Sequence, residues 1–542
     1  MTGTQNSTQN VTSFDKKTIV MIVSLVFSMF TMIAVNQGWI TPQQRLILNA
    51  ETESMIQQLM PDLNLSYQQV VNGLTQEVGS SLSGLAGPYS YMISHPLGDT
   101  TITAMKNGTT GAWDFWSTNA ASTITKAIGN NTTIFFNAAT YSLTDRLNFT
   151  NLENFTLRAD GWNTKFALAN TFNNIVFNIS NVHNSLFQGF LVDATGQTSG
   201  SAILIDNLCF DNTIDRIYVK TAFHGGIEIY GSRNTVQNSR VINSHDDGII
   251  VGGLSQSIIG NTVENTTSNN LISLYSARGC TISSNTLNTY LTTACGIALE
   301  QGSTGNDIVD NIINAGQSMI YRGIYFYPSV NNNNNHVANN ILTLNGTGSR
   351  GIEIAVGNAY NDVVSNHIYN VTKGVCADDS NNAIDSNYII DPTINGIFYS
   401  AGINAQVDGN YIISDNAVSI IAITIAASNI SCNSNFFSGG AGTGIYLSGG
   451  ATGISTGTIN SNTLLGYGPS PTYRGMYLEN CTNMQFVGNT VEGWTTGIQE
   501  VGAGNNYNTI TSSSTRGCTN GILTVGTNTH VNLCWNATVW LP

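Results

Sequence analysis

Residues 243–253, NSHDDGIIVGG, set His245, Asp246 and Asp247 side by side in a chain where only 9% of residues are charged. Imidazole titrates near neutrality, and carboxylates serve as general acids, bases or nucleophiles. A further histidine and carboxylate, His224 and Glu228, lie about twenty residues upstream, with Lys220 and Arg240 nearby; the chain has 7 histidines in all. Two chemistries could use this set. Glycoside hydrolysis needs a carboxylic acid on the leaving oxygen and a second carboxylate as base or nucleophile. Asp246 and Asp247 supply carboxylates, although neighbours on a strand point to opposite sides. Proton abstraction from a uronate needs a base, His224 or His245, and a cation for the sugar carboxylate. That cation would be Arg240, or a calcium ion held by Asp246 and Asp247. The competing reading is a solvated turn ahead of a buried strand, with or without a bound cation.

What positions these residues is an internal repeat. An Asn, an apolar residue, a turn and then Gly-Ile with an alternating strand recur from about residue 185, as in SNTLNTYLTTACGIAL and SNYIIDPTINGIFY. The apolar residue opening the strand is followed through Ile203, Ile227, Ile249, Leu271, Ile297, Ile324, Ile352, Val375, Ile397, Ile420, Ile445, Met476, Ile498 and Ile522. A period near 25 residues that alternates short strands with turns predicts an all-β, right-handed parallel β-helix. One coil cannot bury its own apolar face, so coils stack. A second column, Asn238, Asn261, Asn285, Asn311, Asn340, Asn366, Asn387, Asn410, Asn435, Asn462 and Asn489, predicts an asparagine ladder at a bend, since Asn tolerates left-handed backbone and its amide can bond the next coil. Setting Gly226-Ile227 over Gly248-Ile249 stacks His224 on Asp246 and Gly225 on Asp247, with Glu228 outward on the neighbouring strand.

The same register turns Tyr325, Glu353, Phe398, Tyr446 and Tyr477 outward, candidates for sugar stacking. Just before the Gly-Ile glycine stand Arg322, Arg350, Lys373 and Arg474, which could meet an anionic glycan or simply keep the rod soluble.

Composition removes one class of partner. A net charge of −14 leaves no basic footprint for nucleic acid. At the N-terminus, residues 18–34 read TIVMIVSLVFSMFTMIA, with Lys16 and Lys17 just before and no Lys or Arg until Arg45. Length and charge bias predict an uncleaved membrane anchor with residues 1–17 cytoplasmic and the remainder at the cell surface. The expected organisation is a tail (1–17), a transmembrane span (18–40), a helical stalk or linker (41–89), the first coils with an N-terminal cap (90–184), and the repeats with a C-terminal cap (185–542). The stalk leaves room for a homo-oligomer such as a trimer. Of eight cysteines, Cys518 and Cys534 are the only close pair suited to a disulfide; buried thiols are the reading for the rest.

Ahead of the repeats, residues 132–166, TTIFFNAATYSLTDRLNFTNLENFTLRADGWNTKF, resemble the opening segment of the pectate-lyase-like superfamily. Residues 121–128 stand in the place of its capping helix, Ala139-Thr140-Tyr141 of its Gly-Thr-Tyr step and Ala159-Asp160-Gly161 of its Gly-Asp-Gly. The resemblance runs from about residue 100 to the C-terminus and implies the β-helix fold. It does not choose a reaction, since the superfamily holds lyases, polygalacturonases, uronan epimerases, phage tailspikes and non-catalytic surface proteins. Asp246-Asp247 matches the Asp-Asp of polygalacturonases, but no Gly-His-Gly exists, and Arg216-Ile217-Tyr218 precedes the pair rather than following it. His245-Asp246 matches part of the Asp-Pro-His-Asp of mannuronan epimerases without its leading Asp-Pro. The expected function is binding of a polysaccharide or cell-surface glycan, with cleavage or epimerisation open. The alternative is a structural or adhesive surface protein, a viral spike included.

Overall fold

The computed structural model describes residues 89–541, apart from short gaps at 96–99, 170–171, 291–294, 317–321, 329, 416–419, 440–441, 451–452, 468–472, 533 and 537–538. The expected membrane span and stalk lie outside the described residues. Among those that are described, no helix is long and apolar enough to cross a membrane.

Each coil contributes one short strand to each of three parallel sheets. Sheet I holds strands such as Thr235–Gln237, sheet II Arg240–Ile242 and sheet III Ile249–Val251. The described residues place 20, 15 and 16 strands in them, the 20 including Thr103–Asn107 and Trp113–Ser117, which add antiparallel at the N-terminal end of sheet I, and the whole makes a solenoid of about 15 coils. Sheet III pairs Ile227 with Ile249, Ile249 with Ile272, Ile272 with Ile297 and Ile297 with Ile324, all fully buried. A buried aliphatic side chain contributes about 1.5–3 kcal/mol, so the inward column is the main source of cohesion. Two members of the expected column are displaced. Ile272 and Ile423 take the slots expected for Leu271 and Ile420, because the preceding turns hold extra apolar residues that are themselves buried.

Stacking also starts earlier than the repeat signature. Leu147–Glu153 already pairs in register with Phe177–His183. These first coils are filled by aromatics, Phe136, Phe149, Phe166 and Phe177 among them, in stacked and edge-on contacts. Their sequence therefore lacks the Gly-Ile pattern. Helix α1 (Ala120–Ala127), capped by the Asn119 side chain, buries Ala120, Ala121, Ile124 and Ala127 against this end of the core.

The Gly-Ile pattern has a steric origin. A Cβ on Gly248 would lie 2.3 Å from Val263 Cγ1, and one on Gly351 2.5 Å from the Gly374 carbonyl oxygen. In these coils only hydrogen fits where the chain turns into sheet III, whereas Ala202, Leu271 and Ala422 hold the same position in others.

The passage from sheet I to sheet II is the most regular feature. It takes two residues in coil after coil: Asn238-Ser239, Gly260-Asn261, Ser284-Asn285, Asp310-Asn311, Asn339-Asn340. The first of each pair is left-handed (φ 52–65° in these five), and the second points inward. The sequence had assigned both tasks to one asparagine; the structure divides them. From Asn261 to Asn489, ten buried asparagines are joined by nine bonds, each Nδ2 donating to the Oδ1 of the next at 2.9–3.1 Å. Asn238 is corrected: it is the left-handed residue, exposed, and Ser239 holds its coil's ladder slot. A second ladder, unforeseen, precedes sheet I: Asn306, Asn335, Asn361 and Asn382. The turns from sheet II to sheet III vary instead, from three residues at 370–372 through six at 243–248 to seven at 265–271.

All eight cysteines are free and buried. The expected Cys518–Cys534 bond is absent. The Cys518 thiol lies against the Val491 carbonyl and the Cys534 thiol against that of Ile510, each within its own part of the stack.

Candidate functional site

The outer face of sheet III carries the charged residues. Strand Ile227–Ile229 turns Glu228 outward, and the turns before it and before Ile249–Val251 bring His224 and Asp246 together. His224 Nδ1 lies 2.6 Å from Glu228 Oε1 and Nε2 lies 3.2 Å from Asp246 Oδ2. Glu228 also accepts from the Ser201 hydroxyl and, at 3.4 Å, from Tyr230 Oη. The hydrogen bond to Glu228, with the charges of Glu228 and Asp246, raises the His224 pKa against the opposing effect of burial. Burial would raise the Glu228 pKa, but the bonds from His224 and Ser201 hold it below its ordinary value. Both ring nitrogens of His224 are thus engaged by carboxylates, which suits it poorly to act as a base.

Asp247 faces the other way and is 6% exposed. Its Oδ1 accepts from Ser273 Oγ at 2.7 Å and Asn270 N at 3.0 Å, and its Oδ2 from Asn269 Nδ2 at 3.2 Å. Asn270, fully buried, extends Nδ2 to Ser273 Oγ (2.9 Å) and to Glu300 Oε1 (3.2 Å). A short polar bridge so joins two carboxylates two coils apart, Asp247 in the turn ahead of Ile249–Val251 and Glu300 at the end of a strand. Burial, with a smaller push from Asp246, raises the Asp247 pKa to about 6. Burial, then the charges of Asp247 and Asp246, raises that of Glu300 to about 7. Glu300 closes the strand Cys295–Glu300 and pairs in register with Tyr275, which is 46% exposed. Tyr327 follows in the next coil, half-buried with its ring against Tyr325.

Nothing in the sequence singled out Glu300. Its one signal was an acid at an outward position of a Gly-Ile strand two coils on from Asp247.

Other candidates fall elsewhere. His245 is exposed and its ring stacks on Phe223, centroids 5.2 Å apart and 3° from parallel. Arg240 lies on sheet II, paired with Glu264 at 2.6 Å and over the Tyr218 ring. Tyr325, expected to be exposed, is 7% exposed, because Arg322 folds over its ring at 3.9 Å and Tyr327 packs beside it. Arg322 and Arg350 both close on Glu353, itself 3% exposed. Lys373 covers Phe398 and Arg474 covers Tyr477, while Tyr446 lies 5.2 Å from Tyr477 and donates to Glu479 at 2.6 Å. All three of these rings are half-buried, so cations, not solvent, meet several of the expected sugar platforms.

A calcium ion does not fit Asp246 and Asp247. N–H and O–H donors already point at both Asp247 oxygens, and Asp246 Oδ2 is taken up by His224 Nε2. Among the described residues no group of three or more His, Cys, Asp or Glu could hold a metal ion.

The raised pKa values make stability pH-dependent. Asp247 and Glu300 hold protons more tightly folded than unfolded, so their contribution is complete below pH 4 and is lost as pH rises through about 6 and 7. His224, also raised, works in the same direction, while the depressed Glu228 loses its contribution as pH falls. The share of Asp247 is on the order of 3 kcal/mol. Thermal denaturation should show Tm falling between pH 5 and 8, and Asp247→Asn should flatten that slope; an unchanged slope in the variant would refute the assignment.

No protein-family model matches the chain, and no curated protein matches it in sequence. Similar solved structures include a tailspike protein of E. coli bacteriophage HK620 in complex with a pentasaccharide, at 12% identity over 71% of this chain and 76% of that one, TM-score 0.44. An alginate lyase complex shares 11% identity over 70% and 83%, TM-score 0.37. The A-module of an Azotobacter vinelandii mannuronan C-5 epimerase shares 12% over 73% and 93%, TM-score 0.33. These are likenesses of fold.

Proposed function

We propose that the protein binds polysaccharide along the outer face of sheet III and hydrolyses it there. Glu300 acts as general acid on the glycosidic oxygen, and Asp246, ion-paired with His224 and partly exposed, is the second carboxylate. The observation that carries this reading is the placing of Glu300 on the same face as Asp247 and beside the exposed Tyr275, where burial and the charges of Asp247 and Asp246 raise its pKa to about 7. Asp247 is a positioning residue: 6% exposed, it acts through Asn270 and by its charge. Hydrolysis is favoured over β-elimination or epimerisation because both nitrogens of the nearby imidazole are taken up by Glu228 and Asp246, and Arg322 and Arg350 are committed to Glu353.

The test is to incubate the full chain with a panel of uronans and neutral glycans. Reducing ends and the ultraviolet absorbance of unsaturated uronates are then followed. New reducing ends without that absorbance support hydrolysis. The absorbance itself would turn the reading to a lyase, binding without turnover to a lectin, and neither to a structural or adhesive rod. We further propose that residues 18–40 anchor the chain with the solenoid at the cell surface, supported by the uncharged run after Lys16 and Lys17. Release of the chain from membranes by alkaline carbonate would contradict this.

A further inference from the structure

The outer face of sheet I, well separated in sequence from the acidic cluster, carries a concave surface of about 530 Å³ across four coils. Its walls are Gln406, Ser431, Thr458 and Gln485, which stand in one outward column: Gln406 pairs with Ser431, Ser431 with Thr458, and Thr458 with Gln485. A second row, running from Asn404 to Asn483, lies along the left-handed turns that lead into these strands.

At the floor the chain departs from its own repeat over four coils, a longer break than the two at Gln256 and Cys280. Asn382 on one side and Asn508 on the other occupy the ladder position ahead of sheet I. Between them the same position holds Ala405, Ile430, Gly457 and Met484, and the first three line the concavity. A ladder asparagine supplies several buried hydrogen bonds per coil. Four consecutive coils forgo them, and they are the coils beneath this surface. A repeat broken locally against its stability interest marks a place shaped by function.

The chemistry of the walls defines the ligand. Every lining residue is uncharged, whereas the face of sheet III is crowded with carboxylates and cations. Amides and hydroxyls both donate and accept, as sugar hydroxyls do. Among the described residues, the side chains of Gln406, Thr458 and Gln485 make no hydrogen bond. Coils repeat at about 4.8 Å, close to the length of one pyranose unit, so the four walls form a row of roughly 14 Å. An anionic sugar would lose hydration here and meet no cation.

We propose that this face of sheet I is a non-catalytic binding site for an uncharged oligosaccharide, independent of the reading given to sheet III. The test uses the full chain in a detergent without a sugar headgroup, titrated calorimetrically with cello-, xylo-, malto- and manno-hexasaccharides and with hexamers of galacturonate and mannuronate. At least one neutral hexasaccharide should bind, with little dependence on salt. The double variant Gln406→Ala, Gln485→Ala should weaken it tenfold or more while leaving Tm and any turnover unchanged. Glu300→Gln should leave this binding intact. The proposal is overturned if no neutral hexasaccharide binds, if the double variant binds as before, or if binding is lost in Glu300→Gln. It is also overturned if the uronate hexamers bind the same face equally well.

Discussion

Glu300→Gln is expected to lower polysaccharide hydrolysis by about 10²–10⁴-fold with little change in KM, the range for removing a positioned general acid. Glutamine has the same shape, so the bond from Asn270 Nδ2 to the former Oε1 can persist, and Tm should hold. Asp247→Asn makes a different signature. The variant leaves Glu300 in place but removes the nearest charge holding its proton. The basic limb of the pH–rate profile, set near 7 in the parent, should move to lower pH, so that activity lost at pH 7 is largely regained near pH 5. An Asp247 that only stabilised the fold would lower activity equally at every pH. That flat loss, or full activity in Glu300→Gln, would refute the assignment.

Asn366→Ala is expected to cost roughly 3–6 kcal/mol, the largest stability effect of any single truncation proposed. Asn366 is fully buried. Its Nδ2 donates to Asn387 Oδ1 (3.0 Å) and the Val337 carbonyl (2.9 Å), and its Oδ1 accepts from both the backbone N and the Nδ2 of Asn340 (3.0 Å each). Alanine orphans the Asn340 donors and the Val337 acceptor, at about 1–3 kcal/mol each. Coupling in a solenoid runs between neighbouring coils, so chemical denaturation should turn less cooperative as well as easier. The surface pair Asn148–Asn178 is the control: Asn178→Ala removes a solvent-facing bond and should cost under about 1 kcal/mol. Equal effects at the two positions would refute the ladder's role.

The difference between these asparagines was only partly legible in the sequence. Period and column predicted the ladder from Asn261 to Asn489 correctly. At Asn238 the column was followed one residue too far, because serine can fill a ladder slot and asparagine a left-handed one. The site divides likewise. The contact of His224 with Asp246 follows directly from aligning two Gly-Ile pairs. Glu300 does not, because its tie to Asp247 passes through Asn270 and Ser273, residues that read as ordinary turn and strand. Alternation predicted that Tyr325 would face outward, and it does. It carries no information about what lies on top, and Arg322, three residues earlier on the same strand, covers it.

The constant two-residue passage between sheets I and II behaves like a phase reset. Whatever length a coil gains or loses elsewhere, the next left-handed residue and its inward partner return the chain to the same angle. Insertions ahead of sheet III therefore change the walls around Glu300 without propagating a frameshift down the rod. Such a scaffold can drift in specificity one coil at a time, and grafted loops should be tolerated at those turns and nowhere near the ladder corner.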